Sequence, residues 1–182
     1  MRTVIATPLY PPDIGGAAPY VKELARRLSE NHAVTIVAYG HLPEQVPGVS
    51  IVSVDKRRPL PLRLFYFTFA LLKAVRNADI LFAENGPSVE LPVGVVTFFV
   101  QKPLLIHIGD KAAHAYARKH FLRRNIENFA FHRANKVIEE LPLEKPETLP
   151  FGSIPVSALE TYGEPWNKHI DILERIFAHA GT

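Results

Sequence analysis

A series of short apolar runs, most of them separated by helix-length segments, does most to restrict what this chain can fold into. The runs lie at residues 4–6, at Ala33–Tyr39 and Val49–Val54, and at 79–83, 103–108 and 136–139. Most are continuously apolar, the pattern of strands covered on both faces, as in parallel sheets. Between them, helical periodicity dominates. Val21, Leu24 and Leu28 share one face, residues 62–75 are apolar nearly all round, 89–100 read as a helix interrupted by Gly94, and 112–133 read as one long amphipathic helix. Crossovers of this length allow parallel pairing. The expected fold class is therefore α/β: a doubly wound, mostly parallel sheet with helices on both faces.

In such sheets the ligand crevice lies outside the carboxyl ends of the strands, where strand order reverses. Three stretches fall at strand ends: the loop from Pro8 to Gly16, then Glu84, Asn85 and Gly86, then Gly109 and Asp110. Gly15 and Gly16 lack a Cβ, so a ligand can approach the backbone, and the helix starting at Ala17 presents free N–H groups to an anion or a sugar-like group. The alternative is a tight turn with no ligand. Neither G-x-G-x-x-G nor G-x-x-x-x-G-K-S/T is present, which argues against dinucleotide and P-loop chemistry.

His107 ends a buried run. As a neutral imidazole it is the candidate catalytic residue, able to orient a hydroxyl or support developing charge; the alternative is a ring satisfied by backbone. Glu84 and Asn85 are candidates for binding hydroxyls of a ligand or belong to a turn before Pro87. Asp110 and Lys111 are substrate-binding candidates, with a helix cap as the other reading of Asp110. A glycosidase-type carboxylate pair of Glu84 and Asp110 is the weaker reading.

The chain has 182 residues and no cysteine, 47% of it apolar and 21% charged, with net charge +3. That is one ordinary globular domain without disulfides or thiolate metal sites, which suits the cytoplasm. No apolar run reaches bilayer-spanning length. The charge is too small to imply nucleic acid. No metal or other cofactor is expected, since His114 and His120 are six apart and have no partnering cluster.

Two basic features point elsewhere. Lys56, Arg57 and Arg58 precede a stretch from 62 to 72 with more large apolar residues than one buried face needs. A membrane-surface patch, a face for a missing domain or another protomer, and ordinary core packing all account for the excess. Lys111, Arg118, Lys119, Arg123 and Arg124 follow with no acid before Glu127. They suit phosphate groups of a lipid-linked acceptor or anionic headgroups, or form a solvated face. Residues 141–164 are punctuated by proline and should form an extended strap. A last helix at 165–182 carries Trp166, Ile170, Leu173 and Phe177 on one stripe and should dock on the same domain.

Tyr10, Pro11, Pro12, Gly15 and Gly16, the helix with Glu23, Leu24, Arg26, Arg27 and Leu28, and the run His32, Val34, Thr35, Ile36, Val37 together resemble the start of family-4 glycosyltransferases of the GT-B type. The run from Lys102 to Asp110 looks like a later strand and loop of that family. Arg133, Ala134, Asn135, Lys136, Val137 and Ile138 look like the segment that ends its N-terminal domain. The resemblance covers about residues 1–140. It implies a Rossmann-like, acceptor-side domain and transfer of a hexosyl group from a nucleotide sugar, which would be a substrate rather than a cofactor. It also implies a histidine, here His107, near the sugar. The family's second domain, which binds the sugar nucleotide and carries a Glu-x7-Glu motif, has no counterpart in the remaining 40 or so residues. The expectation is an acceptor-binding half that needs a donor-binding partner chain, or a non-catalytic module or homo-oligomer built on the donor-side face. Its expected place is cytoplasmic, with a peripheral position at the inner membrane face.

Overall fold

In the computed structural model, which describes residues 1–15, 17–109, 111–139 and 163–180, strand β1 (Arg2–Thr7) lies inside a six-stranded sheet. The other strands are β2 (Ala33–Tyr39), β3 (Val49–Val54), β4 (Ile80–Glu84), β5 (Leu104–His107) and β6 (Lys136–Ile138). All neighbours pair in parallel, in the order β3-β2-β1-β4-β5-β6. The chain builds outward from β1 to β3, then returns to the other side of β1 with β4. The switch point of the sheet is therefore between β1 and β4.

Helices cover both faces, as the continuous apolar strands require. The odd–even pleat sends Val4, Ala6, Leu81, Ala83, Leu104 and Ile106 to one face. There they meet α2 (Leu60–Val75), α3 (Pro87–Phe99) and α5 (Phe121–Phe131). Ile5, Ile36, Phe82 and Leu105 point the other way, onto α1 (Ala17–Leu28) and the final helix α6 (Gly163–Ala180). Helix α3 is apolar on all sides because it lies between α2 and α5. Gly94 leaves the room that the Phe129 ring of α5 occupies. Pro87 stands at the start of α3, where its missing N–H costs nothing.

The reading of 112–133 as one helix is corrected. There are two, α4 (Lys111–Lys119) and α5, with His120 extended between them (φ −111°, ψ 120°). On one uninterrupted helix Ala117 and Ala130 would point about 140° apart. Both are buried, so the break turns each toward the domain.

Helix α6 docks as its stripe requires. Leu173 and Phe177 are fully buried, with Trp166 and Ile170 packed at the edge. Three polar links hold it to α1 and to the turn after it. Arg27 donates to Asn167 Oδ1 (2.9 Å), Tyr20 Oη meets His169 Nε2 (3.0 Å), and His32 Nε2 meets Glu174 Oε1 (2.8 Å). The expected strap at 141–164 falls almost wholly outside the described residues.

Candidate functional site

Parallel register sets Glu84, the last residue of β4, beside His107, the last residue of β5. Their side chains meet, with His107 Nδ1 2.8 Å from Glu84 Oε1. Both are buried, and Glu84 is only 1% exposed. Burial raises the Glu84 carboxyl above its usual range, opposed by its bond to His107. The other carboxylate oxygen, Oε2, is buried without a hydrogen-bond partner. The imidazole lies between two rings, with Tyr20 5.2 Å away and Phe82 stacked at 5.9 Å. With Nδ1 engaged by the carboxylate, Nε2 is the nitrogen left for another partner.

The surrounding loops are built around this pair. A Cβ on Gly109 would lie 2.7 Å from Glu84 Oε2 and 3.4 Å from His107 Nδ1, so a side chain there is incompatible with the pair as it stands. Gly86 has φ +143°, a conformation that glycine supplies at little cost, and a Cβ there would lie 3.6 Å from Pro8 Cγ of the β1 loop. The two loops that flank the switch point thus lie side by side. The Asn85 N–H donates to His107 O (2.9 Å), extending the ladder past the strand end.

Glu84, Asn85 and His107 are therefore brought together at one strand-end site. Ala17 starts α1 on the neighbouring loop. The space over Gly15 is taken by Leu9, whose Cδ1 would lie 2.5 Å from an added Cβ; the close approach at this glycine is made by a side chain of the same loop. Gly16, Asp110 and the side chain of Lys111 lie outside the described residues.

The basic triplet is divided among separate partners. Lys56 pairs with Asp13 of the β1 loop (2.6 Å), Arg57 pairs with Asp55 (2.9 Å), and Arg58 stacks over Tyr66 (4.4 Å). Lys56 and Arg57 thus each have a carboxylate partner within the chain. Arg118 is exposed on α4.

A second buried polar cluster was not anticipated. Glu90, on the first turn of α3, accepts the Gly86 N–H through Oε1 (3.0 Å), while its Oε2 has no partner. It is 3% exposed, and burial, reinforced by the nearby Glu127 carboxylate, pushes it up to about 7. Glu127 in turn meets His114 Nδ1 at 2.5 Å. Helix α5 thus carries its acid across to α4. Among the described residues no group of three or more His, Cys, Asp or Glu is placed to hold a metal ion. The spacing of Glu90 four residues after Gly86, at a helix start, was the available signal.

His169 was the other surprise in burial. It is fully enclosed, bonds Tyr20 through Nε2 and leaves Nδ1 without a partner; burial lowers it to about 4.

No family model matches the chain, and no curated protein matches it. Solved structures do. Anabaena HepE in complex with UDP has a TM-score of 0.52 and 16% identity, over 75% of this chain and 37% of that one. The same protein with UDP and glucose has a TM-score of 0.52 and 18% identity over the same shares. A putative UDP-N-acetylglucosamine 2-epimerase from Listeria monocytogenes has a TM-score of 0.51 and 17% identity, over 74% of this chain and 37% of that one. The chain spans just over a third of the length of these proteins. What they share with it is the fold, a single Rossmann-like half-domain of the GT-B kind.

Proposed function

We propose that this chain is a glycosyltransferase-like protein of the family-4 kind that supplies the acceptor-binding half of a GT-B enzyme. The observation that carries this reading is the buried Glu84–His107 pair, at adjacent strand ends beside the switch point of the sheet. Glu84 holds the ring by its Nδ1 edge, and Nε2 meets a hydroxyl of the bound sugar. Asn85 and Ala17 border the same mouth. The likeness to structures that hold UDP, and UDP with glucose, supports nucleotide-sugar chemistry as the context.

Glycosyl transfer with retention needs the leaving diphosphate stabilised as charge develops on it. In this reading that stabilisation comes from a donor-binding partner, and the chain alone transfers little or no sugar. The test is saturation-transfer NMR with a panel of monosaccharides, together with UDP release from UDP-glucose. The expected result is saccharide contact that His107→Ala abolishes, with no UDP release by the chain alone. Multiple-turnover transfer by the isolated chain would refute the half-enzyme reading. Saccharide contact unchanged in His107→Ala would remove the site from this pair. Contact without transfer in the presence of any co-purifying chain would favour a non-catalytic sugar-binding module.

A further inference from the structure

Helix α2 carries two apolar stripes. Phe67, Leu71 and Val75 form the first and are fully buried against the sheet. Leu62, Phe65, Tyr66 and Phe69 form the second, at the spacings of a single helix face. They are 50%, 65%, 42% and 61% exposed. At 3.6 residues per turn the second stripe lies on the opposite side of the cylinder from the first. A helix that packs on one sheet needs one stripe, so the outer one is unexplained by this fold.

The charge around it has a single sign. Lys73 and Arg76 extend the outer stripe by two further steps of helical spacing, and both are exposed. Arg58 lies over the Tyr66 ring at 4.4 Å. Helix α2 contains no acid. Among the described residues between 56 and 136, every carboxylate except Asp79 is buried, and Arg2 holds Asp79. The same span carries two-thirds of the chain's lysines and arginines.

We propose that the outer face of α2 docks on an anionic phospholipid bilayer. Aromatic side chains flanked by lysine and arginine are the composition that settles at the headgroup boundary. A second copy of the chain would set this basic face against itself with no exposed acid in α2 to pair with it. No helix among the described residues is long and apolar enough to cross a membrane, so the contact is one of lying on the surface. The sequence expectation joined Lys56, Arg57 and Arg58 to the apolar stretch 62–72; among the described residues Lys56 and Arg57 pair with carboxylates and Arg58 stacks on Tyr66 of that stretch.

The test is flotation of the full chain with phosphatidylcholine vesicles, with and without phosphatidylglycerol. Binding should require the anionic lipid and fall as salt rises. Lys73→Gln with Arg76→Gln should lower partitioning by about 25-fold, roughly fivefold per charge. Phe65→Ser with Phe69→Ser should lower it at every salt concentration, while Arg57→Ala should change it little. Circular dichroism confirms that the variants fold, which is expected because every altered side chain is exposed. Equal partitioning to neutral vesicles, or no response to either double variant, would overturn the proposal. So would a dimer in light scattering that Phe65→Ser with Phe69→Ser dissociates, without vesicle binding; that outcome assigns the face to self-association.

Discussion

Replacing Glu90 by glutamine should stabilise the fold, and by an amount that depends on pH. The carboxyl is 3% exposed, accepts one N–H through Oε1 and leaves Oε2 unpaired in the interior. Its folded value is raised to about 7 from an ordinary 4.5. A raised carboxyl favours the protonated folded form. Below pH 4.5 both folded and unfolded chains hold the proton, and no penalty exists. As pH rises from 4.5 to 7 the unfolded chain releases its proton easily and the folded chain does not, so stability is lost across that window. At 1.36 kcal/mol per unit the full penalty above pH 7 is about 3 kcal/mol.

Glutamine keeps an acceptor for the Gly86 N–H and cannot ionise. The variant should therefore exceed the natural chain by up to about 3 kcal/mol at pH 8, which is about 6–12 °C in Tm for a chain of this size. The advantage should shrink to near zero by pH 4.5. Chemical denaturation of both chains at pH 5, 6, 7 and 8 measures it, and titrations of groups remote from Glu90 cancel in the difference. A difference that stays constant from pH 5 to 8 would show that Glu90 does not carry this titration and would refute the reasoning.

Three further outcomes are expected. His169, lowered to about 4 from 6.5, titrates in the opposite sense: stability is lost as pH falls from 6.5 toward 4, by about 2 kcal/mol between pH 7 and 5. His169→Gln should remove that loss in denaturation curves; an unchanged acid slope would contradict the assignment. Gly109→Ala puts a Cβ 2.7 Å from Glu84 Oε2, so it should cost about 1–3 kcal/mol and separate Glu84 from His107, seen as a changed His107 imidazole shift in NMR. A variant with natural stability and an unchanged shift would mean that the loop yields freely. Gly94→Ala drives a methyl into the Phe129 ring and should cost a similar amount in thermal unfolding; a neutral effect would show that the α3–α5 contact is looser than it stands here.

The layered architecture was legible because strands covered on both faces cannot alternate. Runs such as residues 103–108 and Ala33–Tyr39 read as buried strands without knowledge of their neighbours. The outer-face excess on α2 was also visible, as a count of aromatics too large for one stripe. The pairing of Glu84 with His107 was not. It depends on β4 and β5 being adjacent and in register, which follows from the sheet order rather than from local residues. The same holds for Lys56 and Asp13, 43 positions apart, whereas Arg57 and Asp55 could have been read as neighbours. Glu90, His114 and Glu127 carry no local sign of burial, since nothing local says that a charged side chain faces inward. The break at His120 escaped notice because no glycine or proline marks it; the need to bury both Ala117 and Ala130 produces it.

The link between Tyr20 and His169 has a thermodynamic consequence. The ring that flanks His107 is also the ring whose hydroxyl holds α6. Whatever fixes the His107 imidazole therefore steadies a helix near the far end of the chain, and release of that helix loosens one wall around the imidazole. Linkage of this kind is reciprocal. A bound sugar should slow amide hydrogen exchange along Gly163–Ala180, and Tyr20→Phe, which keeps the ring and removes the hydroxyl, should leave that protection largely indifferent to the ligand.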